Sequence, residues 1–564
     1  MDAPLLKDTV NGAVDYKGHP AIRSKTGRWR SAVFIIGVEI AERFSYNGVS
    51  SNLITYLTGP LQQSTATAAV TVNTWSGVAF MLPLVGAFVA DTYLGRYRTI
   101  LCASLVFVLG LSLLTLSAVL PSFSHPSCHS NTTTSCHPPQ YQVILFFTSL
   151  YLVAIAQGGH RTCVQAFGAD QFDGKDPEES KSKSSFFNWW LFGLCGGSIC
   201  SQLILTYIQD NLNWGFGFGI PCVCTVLALA VFLLGRKNYR YSRCDDNINP
   251  FGSFLRVLVA AVRNWRATPP TATVDEEGEA PLLPALNLFL LVCFRFLNKA
   301  LVIVSDNSME GWQTCNVSEV EEAKAVLRLV PIWATCLIYG TVYAQYHTFF
   351  TKQGATMDRT IGKGFQIPPA SLQFFTTLSV LLFIPIYDRL LVPMARNFTK
   401  IPSGITMLQR IGIGIVLSMI AMVVAALVEM ERLETAIDSK IVDIPKATIP
   451  MSIWWLVPQY ILFGISNVFT RVGLQEFFYE QMPNRLRSVG LALHLSIFGV
   501  GNLLSSFLVS GIEKVSGSGD GKHSWFSNNL NRAHLDYFYW LLAILLAVGF
   551  VVYLYFAKSY IYSR

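Results

Sequence analysis

Long apolar runs, separated by short polar loops, occupy most of the chain between residues 32 and 558. A helix needs about 20 apolar residues to cross the hydrocarbon core of a bilayer. The pattern therefore predicts twelve membrane-spanning helices, which we number in chain order as spans 1 to 12. They cover residues 32–57, 70–91, 99–120, 141–162, 186–208, 214–235, 326–350, 370–392, 405–428, 452–478, 488–512 and 537–558.

The spans fall into two groups of six, which indicates two halves related by a pseudo-two-fold axis. Within the polar segment between the groups, an apolar stripe over residues 254–265 predicts an amphipathic helix. The predicted parts of the chain are a cytoplasmic N-terminal tail (1–31), an N-terminal six-helix bundle (32–235), a cytoplasmic linker with amphipathic helices (236–325), a C-terminal six-helix bundle (326–558) and a C-terminal tail (559–564).

The linker contains one further apolar segment, residues 282–303, that competes with this count. Arg295, Asn298 and Lys299 interrupt it. With twelve spans, the basic residues in the loops after spans 2, 8 and 10 lie on the same side as the basic N-terminus, as the positive-inside rule requires. We therefore predict a helix at the membrane surface over 282–303, a cytoplasmic linker and termini, and an exterior or lumenal position for residues 121–140.

Composition agrees with a multi-pass membrane protein. Of the 564 residues, 52% are hydrophobic and 14% are charged, whereas soluble domains carry about 25% charged residues. The net charge of +7 does not indicate nucleic-acid binding, because the basic residues lie in short loops between apolar runs. The sequence has no metal-ligand spacing of Cys and His, no nucleophile elbow and no phosphate-binding glycine loop, so we predict neither an enzyme nor a bound metal or organic cofactor.

Span 1 carries three charged residues, Glu39, Glu42 and Arg43, inside an otherwise apolar run. Each costs about 2.5–3.5 kcal/mol at the centre of a spanning helix, so such residues usually face a polar cavity and mark an ion or substrate pathway. Their spacing places them about one helical turn apart on one face. We predict a shared proton-coupling site; the alternative is an ion-pair staple between neighbouring spans.

The predicted exterior loop after span 3 carries covalent-modification signals. Cys128 and Cys136 flank the glycosylation sequon Asn131-Thr132-Thr133. A disulfide between the two cysteines and a glycan on Asn131 are therefore candidates in an oxidising compartment. Most of the other cysteines lie inside spans and are interpreted as small core residues.

The loop between spans 2 and 3 has an acid, a glycine and two bases at Asp91, Gly95, Arg96 and Arg98. This order follows the pattern of the major facilitator superfamily in that loop. The acid can cap the next helix or pair with the bases, and the glycine permits a tight turn. We predict a gating clasp; the alternative is a basic loop that flanks the membrane. Thr99 follows the bases; the family resemblance described below implies a phosphorylation site there that would loosen span 3, and the alternative is a buried helix-start threonine.

Five motifs together resemble the plant nitrate and peptide transporter family, which belongs to the proton-dependent oligopeptide transporters of the major facilitator superfamily. The resemblance covers nearly the whole chain. It implies a major facilitator fold with twelve transmembrane helices in two six-helix bundles, and proton-coupled symport by alternating access through a central cavity. The motifs are Glu39-x-x-Glu42-Arg43-Phe44, Gly158-Gly159-His160-Arg161-Thr162-Cys163-Val164, Phe167-Gly168-Ala169-Asp170-Gln171-Phe172-Asp173, Phe186-Phe187-Asn188-Trp189-Trp190 and Gln475-Glu476-Phe477-Phe478-Tyr479-Glu480-Gln481-Met482-Pro483.

The resemblance also implies roles for single residues. Glu39, Glu42 and Arg43 match the proton-coupling motif. Arg161 matches a basic residue of span 4 that is lysine in many relatives, and arginine has no realistic chance of releasing its proton. The remaining matches are Glu476, an acidic residue of span 10 that faces the cavity, and Asn188, in a span 5 motif that lines the pocket of peptide transporters.

Span 7 contains Tyr343 and His347. Nitrate-binding relatives can use a histidine in this helix, and in our alignment Tyr343 takes that position, with His347 one turn further along. We expect Tyr343 to donate a hydrogen bond to substrate. His347 is either a second substrate contact or a polar residue at the rim of the helix.

The cargo stays open among the substrates of the family, which include nitrate, di- and tripeptides, glucosinolates and plant hormones. A peptide needs a cation and an anion across the cavity, which Arg161 or Arg43 and Glu476 can supply; nitrate needs only donors. We rank nitrate first on the family resemblance. A non-transporting sensor on the same scaffold is the alternative from another class, although it is expected to lose part of the proton machinery.

The expected partners are a small-molecule substrate, protons, the lipid bilayer and a regulatory kinase. The expected location is the plasma membrane or the vacuolar membrane. Residues 2–6 resemble an acidic dileucine sorting signal, which favours the vacuolar membrane.

Overall fold

The computed structural model describes residues 9–124, 138–173, 176–242, 250–265, 296–301, 315–362, 364–400, 404–444, 447–483, 487–517 and 524–560. These residues form long α-helices, with a few short strands outside them. The cysteines and the sequon of the loop after span 3, and the N-terminal sorting motif, lie outside the described residues.

The helices of the N-terminal half cover the first six predicted spans. Two π-helical segments, Ala90–Leu94 and Ser201–Leu205, continue the second and fifth of these spans. The α-helices are α1 Arg28–Ser50, α2 Leu53–Thr58, α3 Thr65–Val89, α4 Gly95–Ser124, α5 Gln140–Ala169, α6 Pro177–Cys200, α7 Thr206–Asn211 and α8 Trp214–Leu234, and the linker contributes α9 Pro250–Arg263.

The C-terminal half repeats this arrangement with longer connections. A π-helical segment, Tyr387–Leu391, again follows the second span of the half. The α-helices are α10 Val317–Tyr343, α11 Phe349–Ala355, α12 Gln373–Ile386, α13 Val392–Thr399, α14 Met407–Asp438, α15 Val457–Glu480, α16 Arg487–Ser516 and α17 Leu535–Ser559. Short 3-10 segments are Gly235–Lys237, Lys299–Leu301, Ala344–His347, Pro369–Leu372 and Ile453–Leu456.

Helix lengths account for the twelve predicted spans. By length and composition, nine helical segments among the described residues can cross a membrane. One of them, Thr65–Leu120, has 56 residues and is roughly 84 Å long at 1.5 Å per residue, enough for two crossings. It divides at Gly95, whose φ of 74° only glycine adopts readily. The other two spans, α1 and α15, are 23 and 24 residues long and carry charged residues that lower their hydropathy.

Helix packing follows the predicted pseudo-two-fold relation. Within the first half, span 1 packs on spans 5 and 6, span 3 on spans 4 and 6, and span 2 on span 4. The same pairs, each number raised by six, pack within the second half, and the halves meet through spans 2 and 11 and through spans 5 and 8. Each helix contact in one half therefore has an equivalent contact in the other half. The prediction of two six-helix bundles is confirmed.

Strands tie the N-terminal tail to the start of the linker, which the sequence did not predict. β1 Thr9–Val14 pairs antiparallel with β2 Pro20–Ile22 and with β3 Tyr241–Ser242. In the C-terminal half, strand β4 Met357–Asp358 pairs in parallel with β7 Ile449–Ser452, and β5 Thr360–Ile361 pairs with β6 Phe365–Gln366. The described part of the tail predicted as residues 1–31 thus packs against the start of the linker.

Buried charges reinforce this contact between tail and bundle. Glu179, in the first turn of α6, accepts from Arg240 Nη1 at 2.7 Å and from Arg28 Nε at 2.9 Å. Arg23 donates to Asp173 at 2.7 Å and also pairs with Asp176. The carboxylates come from the end of span 4 and the start of span 5, so the tail, the linker and the N-terminal bundle form one ionic cluster.

The linker packs on the beginning of span 7. Leu297 lies in a buried cluster with Val257 and Ala261 of α9 and with residues of α10. The first turn of α10 is capped, since Glu319 Oε2 accepts from the backbone N–H of Asn316 at 3.1 Å. The helix therefore begins nine residues before the apolar run that starts at residue 326, and this polar first turn belongs to the interface with the linker.

Two adjacent glycines of span 5 offer a test of the packing that holds span 1 in place. A Cβ on Gly197 would lie 2.6 Å from the backbone oxygen of Ile40, whereas a Cβ on Gly196 would meet nothing within 4 Å. Small residues allow spanning helices to approach this closely. We expect Gly197→Ala to lower the free energy of unfolding by about 1–3 kcal/mol through overpacking. The readout is the melting temperature of detergent-purified protein.

Gly196→Ala is the matched control for this substitution. It should leave the melting temperature unchanged or raise it slightly, because alanine favours helix more than glycine does. Equal melting temperatures for the two variants would show that the approach of span 5 to Ile40 does not constrain the fold.

Candidate functional site

The three charged residues of span 1 meet in the interior. Glu39 and Glu42 are each 2% exposed. Arg43 Nε lies 2.9 Å from Glu39 Oε1 and 3.2 Å from Glu42 Oε2. One guanidinium therefore serves two carboxylates within one helical turn, the grouping that their spacing predicted.

Gln157 of α5 links this cluster to span 4. Its side-chain amide nitrogen donates to Glu42 Oε1, and its amide oxygen accepts from Arg161 Nε at 3.0 Å. Gln157 was not predicted as a site residue from the sequence, although its position one turn before Arg161 places the two side chains on one helix face. The carboxylates of span 1 and the guanidinium of span 4 are thus connected by one neutral side chain that donates at one end and accepts at the other.

Arg161 presents its guanidinium to aromatic rings and leaves one nitrogen without a partner. The Cζ atom lies 4.4 Å from the ring centroid of Phe80 and 4.9 Å from that of Tyr46. Its Nη1 atom is buried and has no hydrogen-bond partner. Because buried donors are nearly always paired, an orphaned guanidinium nitrogen in an aromatic-lined space is a candidate ligand contact.

A second arginine, Arg471 of α15, contacts two further rings, Tyr343 and Phe498, that pack against Phe80. Its Nη1 donates to the hydroxyl of Tyr343 at 3.3 Å, and its Cζ lies 5.4 Å from the ring centroid of Phe498. The Tyr343 ring contacts Phe80 edge-on, with centroids 6.2 Å apart. Sequence reasoning did not single out Arg471, although a charge inside a span is the same signal that marked span 1.

Tyr343 and His347 have different surroundings although one helical turn separates them. The Tyr343 hydroxyl is 3.2 Å from that of Tyr346 and lies among the aromatic rings that flank both arginines. His347 Nδ1 lies 3.0 Å from Gln373 Oε1 in span 8. Tyr343 is therefore positioned to contact a ligand of the arginines, while the described polar contact of His347 is to Gln373.

Glu476 lies in a different cavity from the one that the family pattern led us to expect. Arg410 Nη1 donates to Glu476 Oε2 at 3.0 Å. The pair lines a cavity of about 600 Å³ together with Tyr387, Asp388 and Glu480. Five residues separate Glu476 from Arg471, a rotation of about 140° around the helix. The two side chains therefore leave α15 on different faces, and no described contact joins Glu476 to Arg161.

The remaining predicted residues lie at the surface or at the end of spans 2 and 3. Asn188 is exposed on α6 and Arg98 is exposed on α4, while Arg96 pairs with Asp170 at the end of span 4. The side chain of Asp91 is outside the described part of the structure. Thr99 is 5% exposed and donates to the Gly95 carbonyl at 3.0 Å, so in this conformation it is a buried helix-start threonine, and a kinase would need the loop to open.

Contacts between the two bundles close the end of the molecule that holds the C-terminal end of span 1, which the sequence-based topology predicts to be outside. Gln373 Nε2 donates to the Ser51 carbonyl at 2.9 Å, and the hydroxyls of Thr206 and Ser371 lie 2.7 Å apart. Lys352 donates to Thr58 at 3.1 Å in the same region. The arginines and the span 1 cluster lie below this closed end. In the described part of the chain, no group of three or more His, Cys, Asp or Glu residues could hold a metal ion.

Comparison with known proteins gives consistent matches over the whole chain. A family model described as PTR2, the POT family, matches residues 97–526. The protein named NRT1/ PTR FAMILY 5.10 from Arabidopsis thaliana is 60% identical, with 100% of this chain and 97% of that protein covered. NRT1/ PTR FAMILY 5.14 from the same plant is 56% identical, with 99% and 98% covered.

Solved structures show the same fold. The POT family transporter PepTSo has a TM-score of 0.69 and 22% identity, covering 94% of this chain and 98% of its own. An auto-inhibited POT family peptide transporter has a TM-score of 0.66 and 23% identity, covering 94% and 96%. The predicted fold class, an all-α membrane protein of the major facilitator type, is confirmed.

The bridging role of Gln157 can be measured through stability. Gln157→Leu removes both of its hydrogen bonds and leaves a buried carboxylate oxygen and a buried guanidinium N–H unpaired, a loss of about 1–3 kcal/mol for each such group. We expect a clear drop in melting temperature in detergent. Gln142→Leu on the same helix is the control, since Gln142 is also buried but donates to the backbone oxygen of Ser117. A melting temperature of Gln157→Leu no lower than that of Gln142→Leu would contradict the bridge.

Proposed function

Because the chain belongs to the POT family of membrane transporters, we propose that it is a proton-coupled symporter that moves a small anion, with nitrate as the first candidate, by alternating access. Family membership makes the chain a multi-pass membrane transporter and not an enzyme, as predicted. The proton coupling and the anionic cargo are proposed from a series of polar contacts in the interior. Arg43 pairs with Glu39 and Glu42, and Gln157 connects Glu42 to Arg161. The Nη1 atom of Arg161 has no hydrogen-bond partner.

The proton-accepting groups in this proposal are Glu39 and Glu42. Arg43 and Arg161 stay charged, because a guanidinium does not release its proton in a protein. The four groups sum to zero charge when both carboxylates are ionised. A proton on either carboxylate leaves one positive charge uncompensated, and an incoming anion can compensate it.

Coupling then follows from thermodynamic linkage. If a bound proton strengthens anion binding at Arg161, a bound anion strengthens proton binding at the carboxylates by the same factor. Gln157 provides the path, because protonation of Glu42 removes the negative charge that strengthens its hydrogen bond from the amide of Gln157. Gln157 is then held less firmly, and so is its hydrogen bond from Arg161. Proton and anion are therefore taken up and released together.

The position of Glu476 supports an anion over a peptide as cargo. A dipeptide needs a carboxylate for its amino group, and Glu476 is already paired with Arg410. A di- or tripeptide, or another plant metabolite, is the alternative if that ion pair opens during the transport cycle. The sensor alternative is less favoured, because Glu39, Glu42, Arg43 and Arg161 are all present, with Arg161 connected to the other three through Gln157.

The first functional prediction concerns coupling. Glu42→Gln removes the titratable acceptor of Gln157, so it should abolish accumulation driven by a proton gradient while exchange of labelled substrate across proteoliposomes continues. Glu434→Gln, at an exposed acid near the end of α14, is the control and should accumulate substrate normally. If Glu42→Gln and Glu39→Gln both still concentrate substrate, the carboxylates are not the coupling groups.

The second functional prediction separates the cargoes. Glu476→Gln should cripple dipeptide uptake if Glu476 holds the amine, and should leave nitrate uptake intact or raised because it removes a negative charge. Uptake of labelled nitrate and of a labelled dipeptide at acid and neutral pH measures both. Loss of nitrate transport, with protein still in the membrane, would show that Glu476 does not act as a selectivity charge.

A further inference from the structure

Arg471 is a half-buried charge inside span 10 that proton coupling leaves unexplained. No ion pair with a carboxylate is described for Arg471 or for Arg161, whereas the nearby carboxylates have other partners: Glu39 and Glu42 have Arg43, and Glu476 has Arg410. An unpaired cation inside a membrane protein is strongly destabilising, so such residues usually line a substrate or ion pathway. Two guanidinium groups near the same cluster of aromatic rings, those of Arg161 and Arg471, indicate a site for a negatively charged ligand.

The pseudo-two-fold relation places the two arginines at matching positions. Span 4 corresponds to span 10, and Arg161 lies eight residues before the end of α5 while Arg471 lies nine residues before the end of α15. Each bundle therefore contributes one guanidinium to the region between them. Arg161 contacts the rings of Tyr46 and Phe80, and Arg471 contacts those of Tyr343 and Phe498. Phe80 packs on Tyr343 and Phe498, so the two sets of rings are in contact.

Contacts of the rings define the space between the guanidinium groups. Phe80 carries the Arg161 guanidinium on its face and touches Tyr343, whose hydroxyl accepts from Arg471. Phe498 packs on both Phe80 and Tyr343. A flat group bound here would meet a guanidinium on either side and aromatic rings around it.

We propose that Arg471 is a second substrate-binding residue, and that a planar oxyanion, either nitrate or the carboxylate of an organic acid, binds between Arg161 and Arg471. The inference rests on the proposed function, since it names the chemical class of the cargo at that site. A guanidinium matches a planar oxyanion with two parallel N–H donors. The orphaned Nη1 of Arg161 supplies one of them.

This arrangement makes the cargo part of the closing mechanism. Without an anion, two guanidinium groups from opposite bundles repel each other across the cavity. With an anion between them, each bundle gains a charge-assisted contact to the same ligand, so closure around the cargo is favoured. A zwitterionic peptide would bring its amino group towards two cations and would be rejected.

The test uses full-length protein in proteoliposomes and three labelled solutes: nitrate, benzoate and a dipeptide. Arg471→Gln should raise the half-saturation concentration of the transported anion at least ten-fold, the order expected for a lost charge-assisted hydrogen bond. Arg471→Lys should lie between wild type and Arg471→Gln. Arg532→Gln, at an arginine whose partner Asp443 is exposed, is the control and should match wild type.

Uptake of nitrate and of benzoate, measured separately, distinguishes an inorganic from an organic oxyanion as the ligand. A shift for nitrate assigns an inorganic anion, and a shift for benzoate assigns an organic acid. An unchanged half-saturation concentration in Arg471→Gln, with proton-driven uptake retained, overturns the role of Arg471 and leaves the proposed function standing. Wild-type protein that accumulates neither anion under a proton gradient contradicts the proposed function itself.

A variant that fails to reach the membrane does not end the test. If Arg471→Gln is not recovered, Arg471→Lys decides alone, because lysine keeps the charge but cannot make two parallel N–H contacts. At least a three-fold rise in half-saturation concentration is then expected for the anion, and an unchanged value contradicts the proposal. A purely structural arginine would alter the yield and the melting temperature but not this affinity.

Discussion

The ion pairing of Arg43 with both Glu39 and Glu42 is the interaction on which the rest of the interior depends. Three charges in one apolar helix are tolerated only because they neutralise one another within one turn and reach a second helix through Gln157. Their position fixes which face of span 1 turns inwards. That face brings span 1 against span 5, where Gly197 allows backbone contact.

Symmetry of the two bundles is the second constraint, and it explains features that look unrelated along the chain. Spans 2 and 8 both end in a π-helical segment, and spans 4 and 10 both carry an arginine at nearly the same depth. The same helix pairs pack in each half. A transporter whose cavity opens alternately to the two sides of the membrane needs similar helix packing in the inward-open and outward-open states. Two structurally repeated halves provide this similarity.

Sequence patterns predicted the helices and the span 1 cluster well, because both depend on local periodicity. Glu39, Glu42 and Arg43 are adjacent in the helix, so spacing alone places them together. Gln157 was missed because a neutral amide gives no strong signal until its partners are known. The pairing of Glu476 with Arg410 depends on how α15 is rotated against span 9, and the strands of the N-terminal tail pair residues 13–14 with 241–242. Both contacts join residues that are far apart along the chain, so no short sequence pattern predicts them.

The kinds of contact within and between the bundles differ in a way that suits alternating access. The buried carboxylate of Glu179 accepts charge-assisted hydrogen bonds from Arg28 and Arg240 within the N-terminal bundle and its tail, and such bonds are about twice as strong as neutral ones. At the closed end, the described bundle-to-bundle hydrogen bonds are mostly between hydroxyl, amide and backbone groups, such as Thr206 with Ser371, and each contributes only about 0.5–1.5 kcal/mol. Strong internal contacts keep a bundle rigid, while weak contacts between bundles can break and re-form as the cavity changes sides.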